Sequence, residues 1–243
     1  MLSELLSALN SGDKNYLIIT VISILISLPI ILFSLAMHEA AHAFAAYRMG
    51  DRTARNLGRL TLNPAKHLDL LGTISMFLFG FGWAKPVPIN ARYFKNPKWG
   101  MAISAFAGPL SNLGLSLIGA IGFQITLRFI PVVCGGIFIP TFYAGMPTAH
   151  LIMTILLNFF YLFAYYNAAL AIFNLLPIPP FDGSRLAFVF LPDKWYWGIM
   201  KYERIIMIII LVGLATDFLA FPFQNAAEGI VNFFMDITSF IGG

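Results

Sequence analysis

Residues 16–47 contain one formally charged side chain, Glu39, in a run made mostly of apolar residues. A helix of about 20 apolar residues crosses the hydrocarbon core of a bilayer, so this run alone commits the chain to a membrane. Three further stretches, 99–130, 148–177 and 204–222, are long enough to do the same. Pro29 falls inside the first and marks a kink site, because proline removes one helical hydrogen bond. Composition agrees: 59% of residues are hydrophobic and 11% charged, against about 25% charged in soluble domains. No polar stretch is long enough to build a separate soluble domain, so a single transmembrane domain over 1–243 is expected. The expected class is an all-α polytopic membrane protein with about four transmembrane helices. A net charge of +4 is too small to point to nucleic acid, and the lone Cys134 excludes an intrachain disulfide. Glu4 and Asp13 stand where a cleavable leader carries basic residues.

Residues 68–84 are apolar but shorter, and they carry Gly72, Gly80 and Gly82. Two basic clusters flank them: Arg48, Arg52, Arg55, Arg59 and Lys66 before, then Lys85, Arg92, Lys95 and Lys98 after. A crossing helix would put these clusters on opposite sides of the bilayer. A re-entrant excursion keeps both on the cytoplasmic face, as the positive-inside rule prefers. Arg185, Lys194, Lys201 and Arg204 join them there, which leaves Lys14 and Arg128 outside together with both termini. The following segment, 84–92, reads Ala-Lys-Pro-Val-Pro-Ile-Asn-Ala-Arg. Pro86 and Pro88 have no N–H, whereas Val87 and Ile89 do. The segment is therefore either an irregular loop or an edge strand with one pairing-competent side. The tail, 224–241, alternates polar and apolar residues and suits a short interfacial helix.

The chemistry-bearing residues begin at the end of the first span, Met37-His38-Glu39-Ala40-Ala41-His42. Imidazoles four residues apart project from one helix face and can share a Zn²⁺. Glu39 between them is where such metalloproteases keep a general base. HExxH alone arises often by chance, but ionisable groups inside an apolar span are costly and usually functional. The alternatives are mutual hydrogen bonding in a bundle, or a haem. A catalytic zinc needs a third protein ligand and one open position. Asp182 is the candidate, because it follows the proline-rich break Pro177-Ile178-Pro179-Pro180 at the cytoplasmic end of the third span. Taken alone, Asp182 reads more often as the N-cap of a helix starting at Ser184; paired with HExxH, the ligand reading is preferred. His67, in a basic segment, reads as a structural hydrogen-bonder.

Together these residues resemble the site-2 proteases, the intramembrane zinc metalloproteases. The likeness rests on His38-Glu39-Ala40-Ala41-His42 and on Asn174-Leu175-Leu176-Pro177 through Phe181-Asp182-Gly183. Gly108-Pro109-Leu110-Ser111-Asn112 resembles the family's middle-helix motif, and Lys85-Pro86-Val87-Pro88 its membrane-associated β segment. The resemblance covers about residues 33–190, with Phe181 where leucine is common and no insert for a PDZ or CBS domain. It implies a zinc endopeptidase that cuts transmembrane protein substrates near the cytoplasmic face.

On this reading one Zn²⁺ per chain is held by His38, His42 and Asp182, with Glu39 as the base and no soluble cofactor. Asn174 is the expected oxyanion donor, with an interhelical hydrogen bond as its plain alternative. Asn112 divides between substrate contact and helix packing, and Asn167, seven residues before Asn174, reads as helix glue. Pro86, Val87, Pro88 and Ile89 are expected to bind extended substrate by adding it as a strand. The lipid bilayer of a prokaryotic plasma membrane is the expected setting, with the active site toward the cytoplasm. The rivals are a cation transporter, disfavoured by the lack of an internal repeat, and a non-proteolytic membrane-protein-binding relative, which would not need Glu39.

Overall fold

The computed structural model describes residues 2–79, 82–134, 147–192, 194, 198–199, 201–215 and 220–242. Among them the chain is helical, with one isolated β-bridge and no strand. In chain order the helices are α1 (Leu2–Ser11), α2 (Lys14–Arg48), α3 (Thr53–Asn56), α4 (Leu70–Phe79), α5 (Pro97–Cys134), α6 (Thr148–Asn174), α7 (Asp182–Phe188), α8 (Glu203–Ala215) and α9 (Ala220–Gly242). Three helices, α2, α5 and α6, are long and apolar enough to cross a membrane. The chain is thus a multi-pass integral membrane protein. Asp13 starts α2, its carboxylate accepting from the Asn15 and Tyr16 N–H groups at 2.8 and 3.4 Å.

The centre of the bundle is α5, which packs most extensively on α6 and α2. Lipid offers little hydrophobic drive for helices to associate, so close packing of small residues has to hold them together. Ala120, Ala164 and Ala168 are wholly buried accordingly. Between α2, α5 and α6, Ile30, Leu115 and Phe163 form a buried cluster.

The tail is longer than the sequence reading of a short helix. It is the 23-residue α9, which lies along α5 and α6. Ala227 and Val231, one turn apart on one face, pack on Ala164 and Ala168. The Gln124 amide of α5 donates to the Met235 carbonyl at 3.0 Å.

The expected fourth span, 204–222, is described only in part, since residues 216–219 lie outside the described residues. Its described portions are residues 204–215 in α8 and 220–222 at the start of α9.

Residues 68–84 leave the bundle and come back to the same place. Leu68 and Ala84 form the antiparallel bridge, and the Lys85 N–H donates to the His67 carbonyl at 2.7 Å. Within the excursion α4 has only ten residues. After it, 85–90 is extended but forms no ladder, so the irregular reading applies. Side chains take up its backbone groups instead. Arg59 Nη2 donates to the Lys85 and Pro86 carbonyls at 2.5 and 3.4 Å, and the fully buried Asp51 accepts from the Asn90 N–H at 2.7 Å.

Candidate metal centre

His38, Glu39 and His42 lie in the last turns of α2 and are all buried. Helical spacing sets the two imidazoles edge to face, with centroids 4.5 Å apart and ring planes at 89°, so that their Nε2 atoms approach to 2.9 Å. The third group arrives from a distant part of the sequence. α6 ends at Asn174, the proline-rich turn reverses the chain, and Asp182 opens α7 with its Oδ2 3.0 Å from each Nε2. Only glycine fits after it, because a Cβ on Gly183 would collide with the Leu175 and Leu176 carbonyls. The N-cap alternative for Asp182 falls away. Phe181 caps α7 without a side-chain bond, and the Asp182 carboxylate turns to the imidazoles.

The outer ring nitrogens decide what faces inward. His42 Nδ1 lies 2.7 Å from the Ser104 carbonyl, which can only accept, so this nitrogen carries the proton. Nε2 of His42 then presents a lone pair. His38 Nδ1 contacts Asn112 Oδ1 at 2.6 Å, with the same result. Two imidazole lone pairs and a carboxylate oxygen thus converge within about 3 Å of one another. Such an arrangement repels itself unless a cation sits among the three atoms. Two nitrogens and one oxygen are a ligand set that suits Zn²⁺ and leaves a fourth tetrahedral position open. Gly108 of α5 lets the two helices close here, since a Cβ would run into the His42 and His38 rings.

The remaining expected residues are distributed unevenly. Asn112, read as either a substrate contact or a packing residue, is fully buried with its amide shared among His38, Asn167 and Ser34. The Val87 N–H, expected to be free, donates to Glu39 Oε2 at 2.8 Å, and the Val87 side chain is buried near Ala43 and Ala54. Pro86 is exposed and Pro88 and Ile89 are partly buried; among the described residues the Ile89 N–H has no partner. Asn174 Nδ2 donates to the Leu170 carbonyl of its own helix at 2.9 Å. His67 is buried, its Nε2 donating to the Thr61 carbonyl at 2.9 Å, as a structural role requires.

Residues 26–220 match peptidase family M50, a range that contains His38, Glu39, His42 and Asp182. The chain belongs to that family. This M50 chain is 37% identical over 216 residues to "Putative zinc metalloprotease YwhC" of Bacillus subtilis, covering 88% of this chain and 87% of that protein. It is 38% identical over 96 residues to "Putative zinc metalloprotease Rip2" of Mycolicibacterium smegmatis, covering 36% and 35% of the two chains. No solved structure matches it.

Reading the sequence missed Ser104, which acts through its backbone and leaves no side-chain signal. It also missed Arg59 and Asp51 as holders of the 85–90 segment. Their signal was indirect, a pair of opposite charges close to a segment whose backbone needs partners.

Proposed function

We propose that this M50 chain is an intramembrane zinc endopeptidase, binding one zinc through His38, His42 and Asp182. It would hydrolyse transmembrane substrate helices near the cytoplasmic face of a prokaryotic plasma membrane, within one transmembrane domain spanning 1–243. The observation that carries this reading is the convergence of three inward-facing donor atoms, 2.9–3.0 Å apart, next to a buried glutamate. Zinc, when bound, supplies Lewis-acid polarisation of the scissile carbonyl and a lowered pKa for the attacking water. Glu39 takes the proton of that water and returns it to the leaving amine. The Val87 N–H fixes one oxygen of Glu39 and leaves Oε1 for the transfer. Asn174 swings from the Leu170 carbonyl to donate to the developing oxyanion.

A helical substrate must unwind before its carbonyls are accessible, and its freed backbone groups cost several kcal/mol each if unpartnered in lipid. The 86–89 segment meets that need through the unpartnered Ile89 N–H and neighbouring carbonyls, by strand addition. Residues 68–84 enter the bilayer without crossing it, which keeps the flanking basic clusters cytoplasmic.

The test compares membrane-protein fragments in cells expressing the natural chain and Glu39→Gln. Loss of the base should lower cleavage by about 10²–10⁴-fold at unchanged zinc content. Identical fragments from both would overturn the protease reading and favour a transporter or a binding protein, neither of which needs the base.

A further inference from the structure

Unlike His42, whose outer nitrogen meets an acceptor-only carbonyl, His38 is oriented by a side-chain amide. An asparagine can present either its oxygen or its NH₂, so Asn112 by itself leaves the His38 tautomer open. With the NH₂ turned toward Nδ1, His38 would carry its proton on Nε2, aimed into the cluster of ligand atoms. Something must choose.

We propose that Asn167, two turns before the end of α6, makes that choice: Asn167 and Asn112 form a polarised amide relay that fixes His38 with a bare Nε2, ready for metal. This rests on the zinc reading of His38, His42 and Asp182, and extends it to a residue outside the ligand set. The relay starts at the Phe163 carbonyl, which can only accept. Asn167 Nδ2 donates to it at 2.8 Å. That fixes which end of the Asn167 amide faces the other way, and its Oδ1 accepts from Asn112 Nδ2 at 2.8 Å. Asn112 therefore turns Oδ1 to His38, and the 2.6 Å contact there requires the proton on Nδ1. Reversing any one amide would set donor against donor or acceptor against acceptor at two contacts.

Both asparagines are wholly buried, where an unmatched amide costs about 1–3 kcal/mol, so the polarity of the chain is strongly enforced. The Ser34 carbonyl, 3.4 Å from Asn112 Nδ2, favours the same orientation from a longer distance. The relay thus runs from α6 through α5 to α2. Asn167 is a positioning residue that acts on the metal site without touching it.

Zinc affinity, measured on purified protein by competition with a chromogenic chelator, tests the relay without any substrate. Asn112→Leu should weaken zinc binding by roughly 10–100-fold, as loss of an outer partner of a ligating histidine does. Asn167→Leu should weaken it by about 10-fold, at the low end of that range, because Ser34 still holds Asn112. Asn167→Ser should behave alike, since its short hydroxyl satisfies the Phe163 carbonyl but does not reach Asn112. In the Asn112→Leu background the Asn167→Leu loss should vanish, whereas mere helix glue would act independently of Asn112.

In ¹⁵N-histidine-labelled, zinc-loaded natural protein, which has four histidines, His38 should show a protonated Nδ1. Unchanged zinc affinity in either folded Asn167 variant, or an undiminished loss in the double variant, would overturn the relay. So would zinc on His38 Nδ1, a result that needs no variant to fold. A natural chain that takes up no zinc fails the metalloprotease reading itself; normal zinc binding indifferent to Asn167 fails the relay alone.

Discussion

Glu39 accepts a hydrogen bond from a backbone N–H four dozen residues away, so the placement of the proposed base depends on a segment that carries none of the proposed ligands. Hydrogen bonds to charged groups contribute about 1.5–3 kcal/mol. Val87→Pro, which deletes that donor, should therefore slow cleavage about 10- to 150-fold while leaving zinc content intact. Val87→Ala keeps the N–H and should retain most of the rate; equal loss in both variants would assign the effect to side-chain packing. At this scale the sequence was legible wherever chemistry is carried by side-chain type. His38, Glu39, His42 and Asp182 announce themselves as ionisable groups that an apolar chain would otherwise avoid. Val87 and Ser104 were not legible, because their contributions are main-chain atoms and any residue except proline has the N–H that Val87 uses. Asn112 and Asn167 stand between: a buried amide demands a partner, and each supplies the other's, but no periodicity joins residues 55 apart on two helices.

The three long helices could be read directly from the length of their apolar runs, and Pro29 sits inside α2 without ending it. Elements held by non-helical contacts were harder to foresee. The 84–92 segment read as either an irregular loop or an edge strand, and it is fixed by Arg59, Asp51 and Glu39, which are side chains of α2 and of the residues on either side of α3. The meeting of residues 68 and 84 bears directly on topology. Single cysteines at Arg55 and Asn96, both exposed, in a chain lacking Cys134, should react with a membrane-impermeant reagent from one and the same side. Labelling from opposite sides would make 68–84 a crossing element.

As a whole, the molecule brings its candidate metal ligands together from α2 and α7, while α5 meets the outer nitrogens of both histidines. A cation that draws such separated parts together stabilises the assembled form in proportion to its affinity: about 2.7 kcal/mol when present at 100 times its Kd. Chelation should accordingly lower the melting temperature of the detergent-solubilised protein, and Asp182→Ala should melt at one temperature with or without added zinc. A melting temperature indifferent to chelator in the natural chain would argue that the bundle is complete without metal. The Leu68–Ala84 bridge has a different consequence, for the tolerance of the architecture to change. Because the two ends of that excursion are pinned together, the bridge does not set the length of what lies between them. Doubling the length of a flexible loop costs only about 0.6 kcal/mol. Material can be added to or removed from this loop without displacing the bridge, so its length can vary while the Val87 N–H keeps its hold on Glu39.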